Sequence, residues 1–147
     1  MKKTFSTLFA FLIIFSAATM ASERVADVDP KILSAFQKKF SFATNAKWEV
    51  KGNLTQVNFL LNDQGVTAWY NSAAELVTTA RNILYNQLPI SVIRTLDKEY
   101  AGADFLGITE VNRNNETYYQ IRADEKHKKF LLRASPSGNI IVLKKIK

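Results

Sequence analysis

The run "LTQVNFLLNDQGVTAWYN", residues 54–71, alternates apolar and polar side chains on both sides of a polar break. Val57, Phe59 and Leu61 fall on one side of an extended chain, and Gln56, Asn58 and Leu60 on the other. Beyond "NDQG", Val66, Ala68 and Tyr70 stand opposite Thr67, Trp69 and Asn71. Successive side chains of a strand point to opposite faces, so the pattern predicts two strands with one face buried and one wet. A break this short makes them antiparallel, because a parallel crossover needs a dozen or more residues. A second layer must then cover the apolar face.

The flanking segments supply that layer. Asp29 followed by Pro30 is a helix start: a side-chain cap, then a residue with preset φ and no N–H to leave unpaired. Ile32, Leu33, Phe36 and Phe40 form one stripe, and the helix is expected to end near Phe40. "AKWEV" is a short strand, with Ala46, Trp48 and Val50 on one face and Trp48 in the core; "KGN" turns it back through Gly52 and Asn53. "ELVTTARNI" reads as a fourth strand. Pro89 opens a second helix with Ile90, Val92, Ile93 and Leu96 on its apolar side, Tyr100 in its last turn and Gly102 as its stop. "FLGITEVN", "TYYQIRAD", "KKFLLRA" and "NIIVLKKI" are four further strands, separated by "RNNE", "EKH" and "SPSG". The expected fold is α+β: two helix-plus-four-strand units, about 28–85 and 86–147, forming one curved antiparallel sheet with both helices on one face.

The chain has 147 residues, 47% of them hydrophobic and 22% charged, which suits a globular domain and not a disordered one. Its start is set apart. Lys2 and Lys3 precede the apolar "FSTLFAFLIIFSAATMA", which ends in small residues, the layout of a secretory signal peptide over residues 1–21. Cleavage fits best after Ala21, with Ala18 the alternative; the expected product is residues 22–147, in the periplasm or secreted, with no stable insertion in the membrane. Cysteine is absent, which excludes disulfides and an N-terminal lipid-bearing Cys. Without Lys2 and Lys3 the balance is 18 basic to 13 acidic residues. An exported chain with that excess favours acidic partners over nucleic acid, although such a charge also serves solubility alone.

"FQKKF" before "NAKWEV", then "QVNFLLNDQGVTAWY", then "LP" opening an amphipathic helix that ends in Tyr, resembles the PepSY-like exported proteins, which are similar in fold to the β-lactamase inhibitory protein. The likeness runs over nearly all of residues 22–147. Two positions depart from the family pattern: Ser41 stands where a Pro usually follows the helix, and "YNSAAEL" lacks the usual Gly. The resemblance implies an exported module without enzyme activity, and by fold analogy an open sheet face that binds another protein. Inhibition of a β-lactamase does not carry over, since no recognition loop matches.

The residues themselves offer little for catalysis. The single His, His127, lies among lysines in a turn, without the convergent partners that a base or a metal site needs. No Ser lies in a nucleophile-elbow context. "NDQG" lacks the alternating carboxylates of a calcium loop. Asp124 and Glu125, adjacent on a strand end, point apart. No cofactor or metal is expected.

The wet face is richer. It gathers Asn58 and Trp69 in the first half, and Tyr118, Gln120, Arg122 and Arg133 in the second. Trp, Tyr and Arg are the types enriched at binding hot spots; Trp69 and Tyr118 could equally brace neighbouring strands. The sequence therefore points to an exported binding module, inhibitory or chaperone-like, with a protein or peptide partner of acidic character. The alternative is a small-ligand sensor that holds an anionic glycan or lipid fragment.

Overall fold

The computed structural model describes residues 27–125 and 128–146. The leader expected at residues 1–21, and His127, lie outside the described residues. The elements run α1 (Pro30–Lys39), β1 (Thr44–Lys51), β2 (Leu54–Leu61), β3 (Gln64–Asn71), β4 (Leu76–Ile83), a single 3-10 turn (Tyr85–Gln87), α2 (Ile90–Glu99), β5 (Asp104–Arg113), β6 (Glu116–Glu125), β7 (Lys128–Ala134) and β8 (Ile140–Ile146).

The description as two helix-plus-four-strand units needs correction. Among the described residues eight strands make one antiparallel meander in the order β1 to β8, with two α-helices beside it. Its middle has no seam: β4 pairs with β5 from Thr78↔Arg113 to Ile83↔Ile108. The physical reason is the cost of unpaired backbone. Two separate four-stranded sheets would expose the edges of β4 and β5, and joining them satisfies both rows of N–H and C=O groups. The fold is α+β only in that broader sense.

The local chemistry explains the elements. Asp29 Oδ1 accepts the Lys31 backbone N–H at 2.8 Å and Pro30 is the first helical residue, so α1 starts where its cap stands. Asn62 and Asp63 both take positive φ, as do Asn114 and Asn115. Two consecutive left-handed residues make the type I′ turn whose twist suits a two-residue hairpin, and Asn and Asp tolerate that region best after Gly. The turn is thus Asn62–Asp63 alone, and Gln64 and Gly65 already belong to β3.

Both helices pack on the same sheet face, because the register carries one face from Ala68 through Thr79 and Asn112 to Thr117. Under α1, Ile32 and Phe36 close over Trp48, Val57, Phe59, Ala68 and Tyr70. Phe36 meets Phe59 and Trp48 edge-on, with centroids 5.0 Å and 5.1 Å apart. Under α2, Val92 and Leu96 bury against Ile83, Ile108, Ile121 and Leu132. Between these two cores runs a polar strip on β4 and β5, where Arg81 bonds Glu110 at 2.8 Å and 3.3 Å. The β7–β8 loop is fastened to α2: Ser91 Oγ donates to the Pro136 carbonyl, and Gly138, at φ +91°, lies against the Ser91 carbonyl.

Three side chains expected on the apolar side are largely exposed. Ala46 lies within the bulge between Thr44 and Lys47 on edge strand β1. Val50 lies on the same edge strand and is 51% exposed. Ile90 is 63% exposed, because α2 turns Val92 and Leu96 to the sheet.

Candidate functional site

Among the described residues no helix lies over the opposite sheet face. Register fixes its composition from strand to strand: Gln56 beside Trp69, Trp69 beside Thr78, Ala80 beside Val111, Val111 beside Tyr118, and Gln120 beside Arg133. The central strands carry small side chains here, namely Thr67, Thr78, Ala80 and Thr109. Larger ones stand at either side. The result is a concave floor with aromatic walls.

Trp69, Tyr118 and Gln120 line one concavity of about 400 Å³, together with Thr78, Ala80, Thr109, Val111 and Arg113. Asn58 lines a second, of about 490 Å³, with Lys47, Thr67 and Asn82; the two share Ala80 and Thr109. Tyr118 and Arg133 border a third, of about 290 Å³, with Arg113 and Glu116. Arg122 stands apart from all three. Its partner across the ladder is Gly107, and the guanidinium lies in the space a side chain would take there: a Cβ at Gly107 would sit 2.7 Å from Arg122 Nη2.

The face is ordered before anything binds. The Arg133 guanidinium carbon lies 4.0 Å from the Tyr118 ring centre, a cation–π contact. Asn58 Oδ1 accepts from Thr67 Oγ1 at 2.8 Å and from Gln56 Nε2 at 3.3 Å. Lys51 Nζ donates to Gln56 Oε1 at 3.1 Å and pairs with Glu49 at 2.9 Å. Thr109 Oγ1 donates to Asn82 Oδ1 at 3.0 Å. Side chains already held by neighbours lose less freedom on binding, which improves affinity without adding contacts.

Charge is uneven across the face. Glu49 and Lys51 neutralise one another near β1, and Lys129 lies 4.0 Å from Asp124. Among the described residues Arg113, Arg122 and Arg133 form no salt bridge. The β5–β7 side is therefore the cationic side. Among the described residues no group of three His, Cys, Asp or Glu side chains is placed to hold a metal ion. On the helix face the perturbed groups serve packing. Burial pushes the Tyr70 hydroxyl up to about 12, and burial with the Asp97 carboxylate 2.6 Å away does the same for Tyr85.

Sequence reasoning did not pick out Arg113, Thr109, Val111, Thr78 or Ala80, which make the floor. Their signal was weak: "VTTA" has small side chains on both faces and does not reveal its orientation. The β4–β5 register decides it.

No family model matches the sequence, and no curated protein matches it. Solved structures do share the fold. A BLIP-like protein from Bacteroides fragilis superposes with a TM-score of 0.72 at 22% identity, over 80% of this chain and 86% of that one. A DUF2874 family protein from Bacteroides uniformis gives 0.72 at 18% identity, over 78% and 86%. A protein from Bacteroides eggerthii, provisionally assigned to the periplasm, gives 0.71 at 17% identity, over 81% and 88%. At such identities the likeness is one of fold.

Proposed function

We propose that the chain is an exported, non-enzymatic binding module that holds a protein or peptide against its open sheet face. The observation that carries this reading is the floor of small residues between Trp69 and Tyr118, with Arg133 already stacked on Tyr118. A floor of Ala and Thr admits a projecting loop or side chain, and flanking aromatics and arginines supply the anchors that dominate interface energetics. Size fits as well. Eight strands about 4.8 Å apart and about 26 Å long span roughly 34 Å by 26 Å, enough for the ~800 Å² that one partner contributes to a standard interface. The cationic β5–β7 side favours an acidic partner, and the BLIP-like and periplasm-assigned fold neighbours agree with export and binding. Inhibition and holding of a client are both within reach of such a face.

A second reading rests on the concavity of about 400 Å³, a volume in the range of small-ligand sites, with Arg113 and Gln120 as polar groups. It makes the protein a sensor of anionic glycan or lipid fragments.

Immobilised protein of residues 22–147 and its Trp69→Ala and Arg122→Ala variants, exposed to envelope extract, separate the two readings. A macromolecular partner is retained by the parent, weakly by each variant, and released from the Arg-dependent contacts by salt. Retention that is identical for all three proteins defeats the open-face reading.

A further inference from the structure

The two outer edges of the sheet are built differently. β1 is interrupted by the bulge between Thr44 and Lys47, where Asn45 has a φ of 54°. Beyond it Lys47, Glu49 and Lys51 alternate, two of them bridged at 2.9 Å. Bulges and alternating charge are devices that keep an edge from pairing with another chain. β8 begins without either. Ile140, Ile141 and Val142 pair one-to-one with Ala134, Arg133 and Leu132, and the irregularity comes only at Leu143. Ile141, Val142 and Leu143 are 50%, 45% and 45% exposed, and among the described residues no strand lies beyond β8 in the sheet. Ile141 shares the face of Arg133 and Val142 that of Leu132, so an added strand would meet an apolar side chain on each face.

Charge selects the occupant. Residues 126–147 hold seven Lys and Arg and no Asp or Glu. Lys144 and Lys145 follow the apolar run directly, and both are exposed. A second copy would bring the same cationic excess against itself. An extended segment with carboxylates meets no such repulsion.

We infer that β8 is a strand-addition site for an extended acidic segment of a partner protein. Main-chain hydrogen bonds along the free edge supply the affinity. Apolar residues opposite Ile141 and Val142, and carboxylates beside Lys144 and Lys145, set the register. The edge adjoins the open face, where Ile141 pairs with Arg133, so one partner can use both.

The probe is a labelled peptide of alternating valine and threonine headed by a glutamate triplet, followed by fluorescence anisotropy near physiological salt with the chain of residues 22–147. The expected result is saturable binding with slowed amide exchange in β8 and none in β1. N-methylation of alternate peptide nitrogens keeps every charge and blocks pairing; it should weaken binding at least about tenfold. The double variant Lys144→Glu, Lys145→Glu should weaken it as much, and should bind a lysine-headed version of the peptide better than the parent does. Equal binding of the N-methylated peptide overturns the inference, as does slowed exchange confined to β5–β7. A dimer joined through β8 without peptide overturns it too, as does retention on phosphatidylethanolamine–phosphatidylglycerol vesicles with no peptide binding.

Discussion

The Arg122 guanidinium occupies the place of the side chain that Gly107 lacks: a Cβ there would lie 2.7 Å from Nη2 and 3.2 Å from Nε. The two residues are partners across the β5–β6 ladder, just past a bulge in β5. Glycine in a strand interior often marks such a close approach, and here it fixes where a cation of the open face stands.

Gly107→Ala should displace Arg122 without unfolding the protein, because the atoms in the way are the far end of a flexible side chain. The melting midpoint in urea should move by no more than the equivalent of about 1 kcal/mol. Partner capture should fall as far as with Arg122→Ala, and adding Arg122→Ala to Gly107→Ala should bring no further loss. Losses that add in full would mean the two residues act separately.

Phe36 is the hub of the first core, with ring centres of Phe40, Trp48 and Phe59 at 5.5 Å, 5.1 Å and 5.0 Å. Phe36→Ala or Phe59→Ala should cost about 3–5 kcal/mol, the lost transfer energy plus the cavity left behind. The pair should fall short of additive, since one cavity serves both. Urea denaturation followed by circular dichroism measures all three variants.

How legible this was in the sequence varies along the chain. β2 and β3 alternate cleanly because one face lies under α1 and the other is open, so Val57, Phe59, Ala68 and Tyr70 could be assigned to the core from spacing alone. β4 does not alternate. Its Arg81 turns to the helix face between the two cores, where Glu110 and Gln64 satisfy it. A charge on the apolar side contradicts the pattern that sequence reading relies on, and only the β4–β5 register explains it. The same register runs through the middle of the one sheet that the sequence led us to expect, and it removes the division into two units that the helix-then-four-strands rhythm suggests. Trp69, Tyr118, Gln120 and Asn58 could be placed on one face by parity. That Tyr118 carries Arg133, and that Arg122 lies over Gly107, required the pairing of β5, β6 and β7.

Tyr70 gives a pH dependence with a definite sign. Its side chain is 1% exposed, its hydroxyl has no hydrogen-bond partner among the described residues, and burial raises it from 10.0 to about 12. The folded protein therefore holds the proton more tightly than the unfolded chain. The stability linked to that proton is complete below pH 10 and is lost as pH rises through about 12. Tyr70→Phe should flatten this alkaline loss. At neutral pH it should raise stability by about 1 kcal/mol, since a buried hydroxyl without a partner is removed. Urea midpoints of parent and variant at neutral pH and up to pH 12 read both effects; a variant that loses stability at neutral pH would show that the hydroxyl does have a partner.

A photoreactive benzophenone amino acid placed at Trp69, at Tyr118 or at Lys31, one position per chain, reports which surface a partner covers. Trp69 and Tyr118 line the open face, and Lys31 is exposed on α1. The full-length protein is expressed in cells and irradiated in the envelope, and the adducts are resolved by mass. Binding at the open face predicts one discrete adduct common to positions 69 and 118 and none from position 31. An adduct from position 31 alone would contradict it and place the partner on the helix side of the sheet.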